Sequence, residues 1–201
     1  MRVLFSLPSA WGMLASMNPD RHEVTYGLRL AELSDVAALT ELIECSVWGL
    51  AGQDYSSEQL RGALAGAFGV DTQLISDRTY YVCQSESQLV ACGGWSFRRT
   101  LFGSDARTER DAGQLVPGLD AARVRAFFVR PGWARRGLGR QILSACEEAA
   151  RIAGFTRAEL MGTLPGQRLY AACGYRSQPA QSYPLPNGHS ILFVPMSKSL
   201  T

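Results

Sequence analysis

The chain has 201 residues, 46% of them hydrophobic and 19% charged, with a formal net charge of +2. That length suits one globular domain with a sizeable core and leaves little room for two. The near-neutral balance excludes a general polybasic character, so sequence-independent nucleic-acid binding has no footprint and no nucleic-acid partner is expected.

The first stretch, "MRVLFSLPSAWGMLASM", carries one charge, at Arg2, and weakly imitates a secretory signal. Pro8 and Gly12 interrupt it, and it is too short to span a bilayer as a helix. We read residues 1–24 as an N-terminal extension, disordered or loosely packed, with Met17 the more natural start, and residues 25–201 as the domain. No membrane partner is expected. "TYGLRLAE" (25–32) alternates and predicts a first strand. Ser34 and Asp35 predict the cap of a helix over 36–50. Residues 51–69 read as a loop and a second helix capped by Ser56 or Ser57, and 78–100 as a hairpin around Ser85-Glu86-Ser87. Residues 101–120 form a long connection of the kind that is often functional or mobile. "ARVRAFFVRP" (122–131) is the most strand-like run, ended by Pro131.

A helix from about Arg136 to Ala153 follows, with Leu138, Ile142, Cys146, Ala149 and Ala153 on one face and Glu147, Glu148 and Arg151 outside it. Gly154 stops it. Residues 155–163 read as a strand, and Pro165 opens a short helix through Cys173 that Gly174 closes. A last strand covers 190–198, after the Pro186-Asn187-Gly188 turn. Five cysteines (Cys45, Cys83, Cys92, Cys146, Cys173) make no C-x-x-C pair, and only His22 and His189 accompany them, so no metal site is expected. Their apolar or small neighbours suit buried thiols in a reducing, cytoplasmic setting.

"RPGWARRGLGRQIL", Arg130 to Leu143, packs four arginines and three glycines into its first eleven residues. A strand running into such a loop and then a helix builds an anion site. The first helical N–H groups have no partner within the helix, and its dipole places positive charge there. Gly137 and Gly139 let a phosphate approach the backbone, while Arg135, Arg136 and Arg140 add fixed charge suited to a pyrophosphate. A Walker loop would need Gly-Lys-Ser/Thr, which is absent. A dinucleotide fingerprint would need glycine at Ile142.

The remaining pattern resembles the acyl-CoA loop of the GCN5-related N-acetyltransferases (GNAT), Gln/Arg-x-x-Gly-x-Gly/Ala after a strand and V-x-P. Val129-Arg130-Pro131 and Ala134-Arg135-Arg136-Gly137-Leu138-Gly139 occupy it, with Ala134 departing from the first consensus position. "LPGQRLYAACGY" (164–175) resembles the family's late segment at the thiol end of the cofactor. The order of elements also agrees, over about residues 27–197.

The resemblance implies a mixed α/β (α+β) GNAT fold: a central, mostly antiparallel sheet with one splayed strand pair and helices on both faces. It implies acetyl-CoA as cosubstrate and a primary amine of a small molecule or peptide as acceptor, joined by direct attack in a ternary complex. A homodimer is compatible with it. The backbone of Phe127, Phe128 and Val129 would pair with the pantetheine arm, and residues 134–140 (Ala134, Arg135, Arg136, Gly137, Leu138, Gly139, Arg140) would hold the phosphates. Tyr170 matches the tyrosine that protonates the leaving thiolate in many relatives. Where some relatives carry a glutamate base, this chain has Arg125 and Phe127. Glu44, Asp54 or Glu159 acting through water are the residues left for that role. Trp48, Tyr55 and Tyr183 are candidate acceptor walls. The competing class is an acyl-CoA-binding domain without catalysis.

Overall fold

The computed structural model describes residues 26–107, 111 and 113–201. The expected N-terminal extension and its boundary near residue 25 lie outside the described residues. The first strand, β1 (Gly27–Leu30), is followed by a 3-10 turn at Leu33–Asp35 that runs directly into α1 (Val36–Leu50). Asp35 was expected to cap α1. Its carboxylate instead accepts from the Glu32 N–H at 2.8 Å and pairs with Arg29 at 2.7 Å, because the 3-10 turn already continues the helix backward. α2 (Ser57–Leu64) opens on a reciprocal box. The Gln59 N–H donates to Ser56 Oγ at 3.3 Å, and the Ser56 N–H donates to Gln59 Oε1 at 2.9 Å. α3 (Thr72–Ser76) was not foreseen, since five residues are too few to establish a period.

The hairpin consists of β2 (Tyr80–Ser85) and β3 (Gln88–Ser96). Next come β4 (Ala122–Val129), a 3-10 turn at Pro131–Trp133, α4 (Leu138–Ile152), β5 (Arg157–Thr163) and α5 (Gln167–Ala172). β6 (Arg176–Ser177) and β7 (Gln181–Pro184), both too short to read from sequence, precede β8 (Ser190–Ser199). The strands form one sheet in the order β1-β2-β3-β4-β5-β8-β6, with β7 also on β8. Every pairing is antiparallel except β4 with β5.

Helices cover both faces. Leu39, Leu42 and Ile43 of α1, Leu60 of α2 and Leu74 of α3 pack with Val82, Cys92, Ile191 and Phe193. On the other face Leu138, Ile142, Leu143 and Cys146 of α4 pack with Val90, Ala91, Val124 and Leu160. Because β3 is covered twice, it reads as a nearly continuous apolar run rather than an alternation. α4 departs from expectation at Glu147, which is buried, with Oε2 2.6 Å from Lys198 Nζ. A salt bridge from β8 makes that burial tolerable, and it lies far outside the helix's own periodicity. Both α4 and α5 end as foreseen, at Gly154 and Gly174. At Gly174 (φ 90), N–H groups of Gly174 and Tyr175 donate to Ala171 O and Tyr170 O, each at 3.0 Å. This reversal folds the Tyr175 ring back onto Tyr170, with centroids 5.9 Å apart.

Candidate active site

The loop between β4 and α4 coils before the helix begins. Arg135 (φ 64) and Gly137 (φ 87) both adopt left-handed backbone, so α4 starts at Leu138 and not at Arg136 as the periodicity suggested. Its first internal bond runs from the Gln141 N–H to Gly137 O at 3.0 Å, leaving the amides of Leu138, Gly139 and Arg140 ahead of it without helical acceptors. A Cβ on Gly137 would meet nothing within 4 Å, so open space lies over this end of the helix. Gly139 has a different role: a Cβ there would come 2.9 Å from Leu169 Cδ2 of α5. Arg135, Arg136 and Arg140 are exposed, and the Arg136 guanidinium stacks 4.9 Å from the Trp133 ring. Ala134 is half-buried, and Leu138 turns its side chain into the core. Arg130 stands apart, held by Leu89 O at 2.9 Å and Glu41 at 2.8 Å.

β4 and β5 pair only at Ala122↔Ala158 and Arg123↔Glu159, then separate. The cause lies on the other side of β4. Opposite Gly93, the register skips from Cys92↔Phe128 to Gly94↔Arg125, so Ala126 and Phe127 form a bulge, with Ala126 at φ 60. A bulge bends the strand and increases its twist, which carries β4 off β5. Gly93 makes the bulge possible, since a Cβ there would lie 2.7 Å from the Phe127 ring. The opened gap is a cleft of about 580 Å³ including its mouth, lined by Val124 to Phe128, Met161, Thr163, Tyr170 and Phe193. Phe68, Leu101 and Phe102 close its far side. The Phe127 and Phe128 rings lie on opposite faces of β4, Phe127 edge-on to Tyr170 at 6.0 Å and Phe128 edge-on to Phe68 at 6.0 Å. The Val129 N–H donates to Ser46 Oγ of α1 at 3.2 Å, a partner that no sequence pattern indicated.

Tyr170 lines this cleft and is otherwise buried. Burial, with smaller contributions from Cys146 and Cys173, pushes its phenol above the ordinary value, so the proton stays on the oxygen at neutral pH. Of the three carboxylates considered as bases, none lines the cleft: Glu44 and Asp54 are exposed, and Glu159 pairs with Arg123. Arg125, at the cleft floor, pairs instead with fully buried Asp71, Nη2 to Oδ2 2.9 Å. None of the three candidate acceptor walls lines this cleft. Trp48 is 45% exposed on α1, and Tyr55 is a buried brace, donating to Leu192 O and accepting from the Leu164 N–H, both at 2.8 Å. Tyr183 stands behind Phe102, with centroids 4.7 Å apart. Phe68, Phe102 and Phe193 line it instead.

The family model of the acetyltransferase (GNAT) domain matches residues 76–177, from the end of α3 through β6. The chain belongs to the GNAT family. Solved structures agree in fold with this GNAT domain. The GCN5-related N-acetyltransferase from Rhodopseudomonas palustris is 18% identical, with a TM-score of 0.65 over 94% of this chain and 99% of that one. The PaiA N-acetyltransferase from Thermoplasma acidophilum, solved with coenzyme A, is 11% identical, with a TM-score of 0.60 over 87% and 99%. YncA from Salmonella typhimurium, solved with its cofactor acetyl-CoA, is 16% identical, with a TM-score of 0.57 over 88% and 95%. No curated protein matches the sequence. Among the described residues, no helix is long and apolar enough to cross a membrane, and no cluster of three or more His, Cys, Asp or Glu could hold a metal.

Proposed function

We propose that this GNAT domain transfers the acetyl group of acetyl-CoA to a primary amine in a ternary complex. The observation that carries the reading is one continuous path. The exposed amides and arginines at the start of α4 lead along the unpaired edge of β4 to Tyr170. The pyrophosphate would sit on residues 134–140, among Arg135, Arg136 and Arg140, and the pantetheine arm would add to the β4 edge at Phe127–Val129. Its bond at Val129 requires Ser46 Oγ to yield that N–H.

In the reaction the amine nitrogen forms a bond to the acetyl carbon and the carbon–sulfur bond breaks. The nitrogen loses one proton to solvent, and the departing thiolate takes one from Tyr170, which solvent then reprotonates, giving an amide and CoA. A phenol held above its usual value is a weak acid toward a thiolate near 8.5, so donation of a hydrogen bond to the developing charge precedes transfer. Juxtaposition of the two substrates supplies much of the acceleration. The test is an amine panel followed by free CoA release. Acetyl-CoA-dependent turnover of any amine supports the reading. Tight CoA binding without turnover of any amine assigns the domain to acyl-CoA sensing instead.

A further inference from the structure

The cleft combines an aromatic wall with an absence of anions. Phe68, Phe102, Phe128, Phe193 and Met161 surround the space beyond Tyr170, and no Asp or Glu lines it among the described residues. Arg125, in the lining, is bound to fully buried Asp71, and its side chain is 3% exposed. The wall rings are locked edge to face: Phe68 meets Phe128 and Phe193, each with centroids 6.0 Å apart. A cation could still be held over a ring face. The Arg107 guanidinium already stacks on Phe102 at 4.9 Å and Tyr183 at 5.5 Å, outside the lining of the cleft.

We propose that the acceptor is an apolar monoamine, its reacting nitrogen carried on an alkyl or aryl body, and not a polyamine or a lysine-like dication. This rests on the acetyltransferase reading above. A second ammonium entering the cleft would lose its hydration against aromatic carbon, with no Asp or Glu among the described lining residues to pair with it. An apolar body of the same length would bury its surface there favourably. No described lining residue is a carboxylate that would hold the ammonium form of the reacting nitrogen, so it enters as the neutral amine.

The experiment compares hexylamine with 1,5-diaminopentane, which have the same chain length in heavy atoms and differ by a terminal methyl against an ammonium. With acetyl-CoA, kcat/KM for hexylamine should exceed that for the diamine at least tenfold. Phe102→Glu, which sets a carboxylate in the wall, should move the ratio toward the diamine at least tenfold, with CoA affinity unchanged as the control for folding. Turnover of the diamine as fast as hexylamine overturns this inference and leaves the acetyltransferase reading standing. If neither amine is acetylated, calorimetry on the CoA-loaded protein separates the two failures. Tighter binding of hexylamine keeps the apolar character of the pocket and leaves the transferase reading to the wider amine panel, and equal or absent binding overturns the acceptor assignment.

Discussion

Tyr170 lines the cleft while its ring packs against Phe127 and Tyr175, so a packing role and the proposed proton-donor role separate by one atom. Tyr170→Phe keeps the edge contacts to Phe127 and Tyr175 and removes only the oxygen. Turnover should fall roughly 10²–10⁴-fold, the usual worth of one general acid, with CoA affinity and melting temperature nearly unchanged. The measurement is a single-turnover rate, since slow CoA release would mask the loss. A wild-type single-turnover rate in this variant would leave water as the donor. The direction of the Tyr170 shift also sets a pH profile. The phenol lies above 10.0, so it stays protonated through the alkaline range, while the amine becomes reactive only as it loses its proton. kcat/KM should therefore climb with pH toward the pKa of the amine, with no descending limb from Tyr170 below about pH 10. Gly137 is the second position where one residue decides. Gly137→Asp adds a negative charge in the open space over the α4 amides and strains a backbone at φ 87. CoA affinity should drop by more than tenfold, about 1.4 kcal/mol, by calorimetry. Unchanged affinity would move the phosphate site elsewhere.

Elements hold the cleft open through contacts that no local pattern announces. The Asp71–Arg125 pair ties the start of α3 to the middle of β4, just before the bulge. Removing one partner of a buried pair leaves the other charge without compensation, so Asp71→Ala should cost about 3–5 kcal/mol of stability by chemical denaturation. Replacing both residues with apolar ones of similar volume should recover most of it, and an equal loss in the double variant would mean that packing, not charge, is what the pair supplies. This is also where sequence reasoning stops. The 134–140 loop and the 164–175 segment are contiguous, and their glycines and aromatics sit at fixed spacings, so both were legible, as were the order of elements and the two glycine-closed helix ends. The partnership of Asp71 with Arg125, the Ser46 contact to Val129 and the burial of Glu147 are set by pairs 51 to 83 positions apart. Phe68, Phe102 and Phe193 meet only because three separate elements cover one end of the gap. In sequence each is an ordinary apolar residue, whereas Trp48 and Tyr55 draw attention by residue type and turn out to be an exposed side chain and a brace.

At the scale of the whole molecule, the sheet is two halves with a weak seam. β1 to β4 form one half, and β5 with β6, β7 and β8 the other, joined along the strands only at Ala122–Arg123 against Ala158–Glu159. The helices do not divide along this seam: α1 to α3 lie on one face and α4 on the other, and each apolar core draws on strands of both halves. A ligand that lies along β4 and is anchored at the head of α4 would fill the seam with backbone hydrogen bonds, in the manner of an added strand. It binds the folded state alone, so CoA at a hundred times its Kd should stabilise the chain by about 2.7 kcal/mol. For a chain of this size that corresponds to a rise in melting temperature of roughly 5–11 °C. Hydrogen exchange would locate the effect: protection should grow at the amides of Phe127–Val129 and Leu138–Arg140, and hardly at all in β1 or β2. Gly137→Asp at the same CoA concentration should lose most of the rise. Stabilisation spread evenly over the sheet, or kept in full by that variant, would show that CoA does not occupy the seam between β4 and β5.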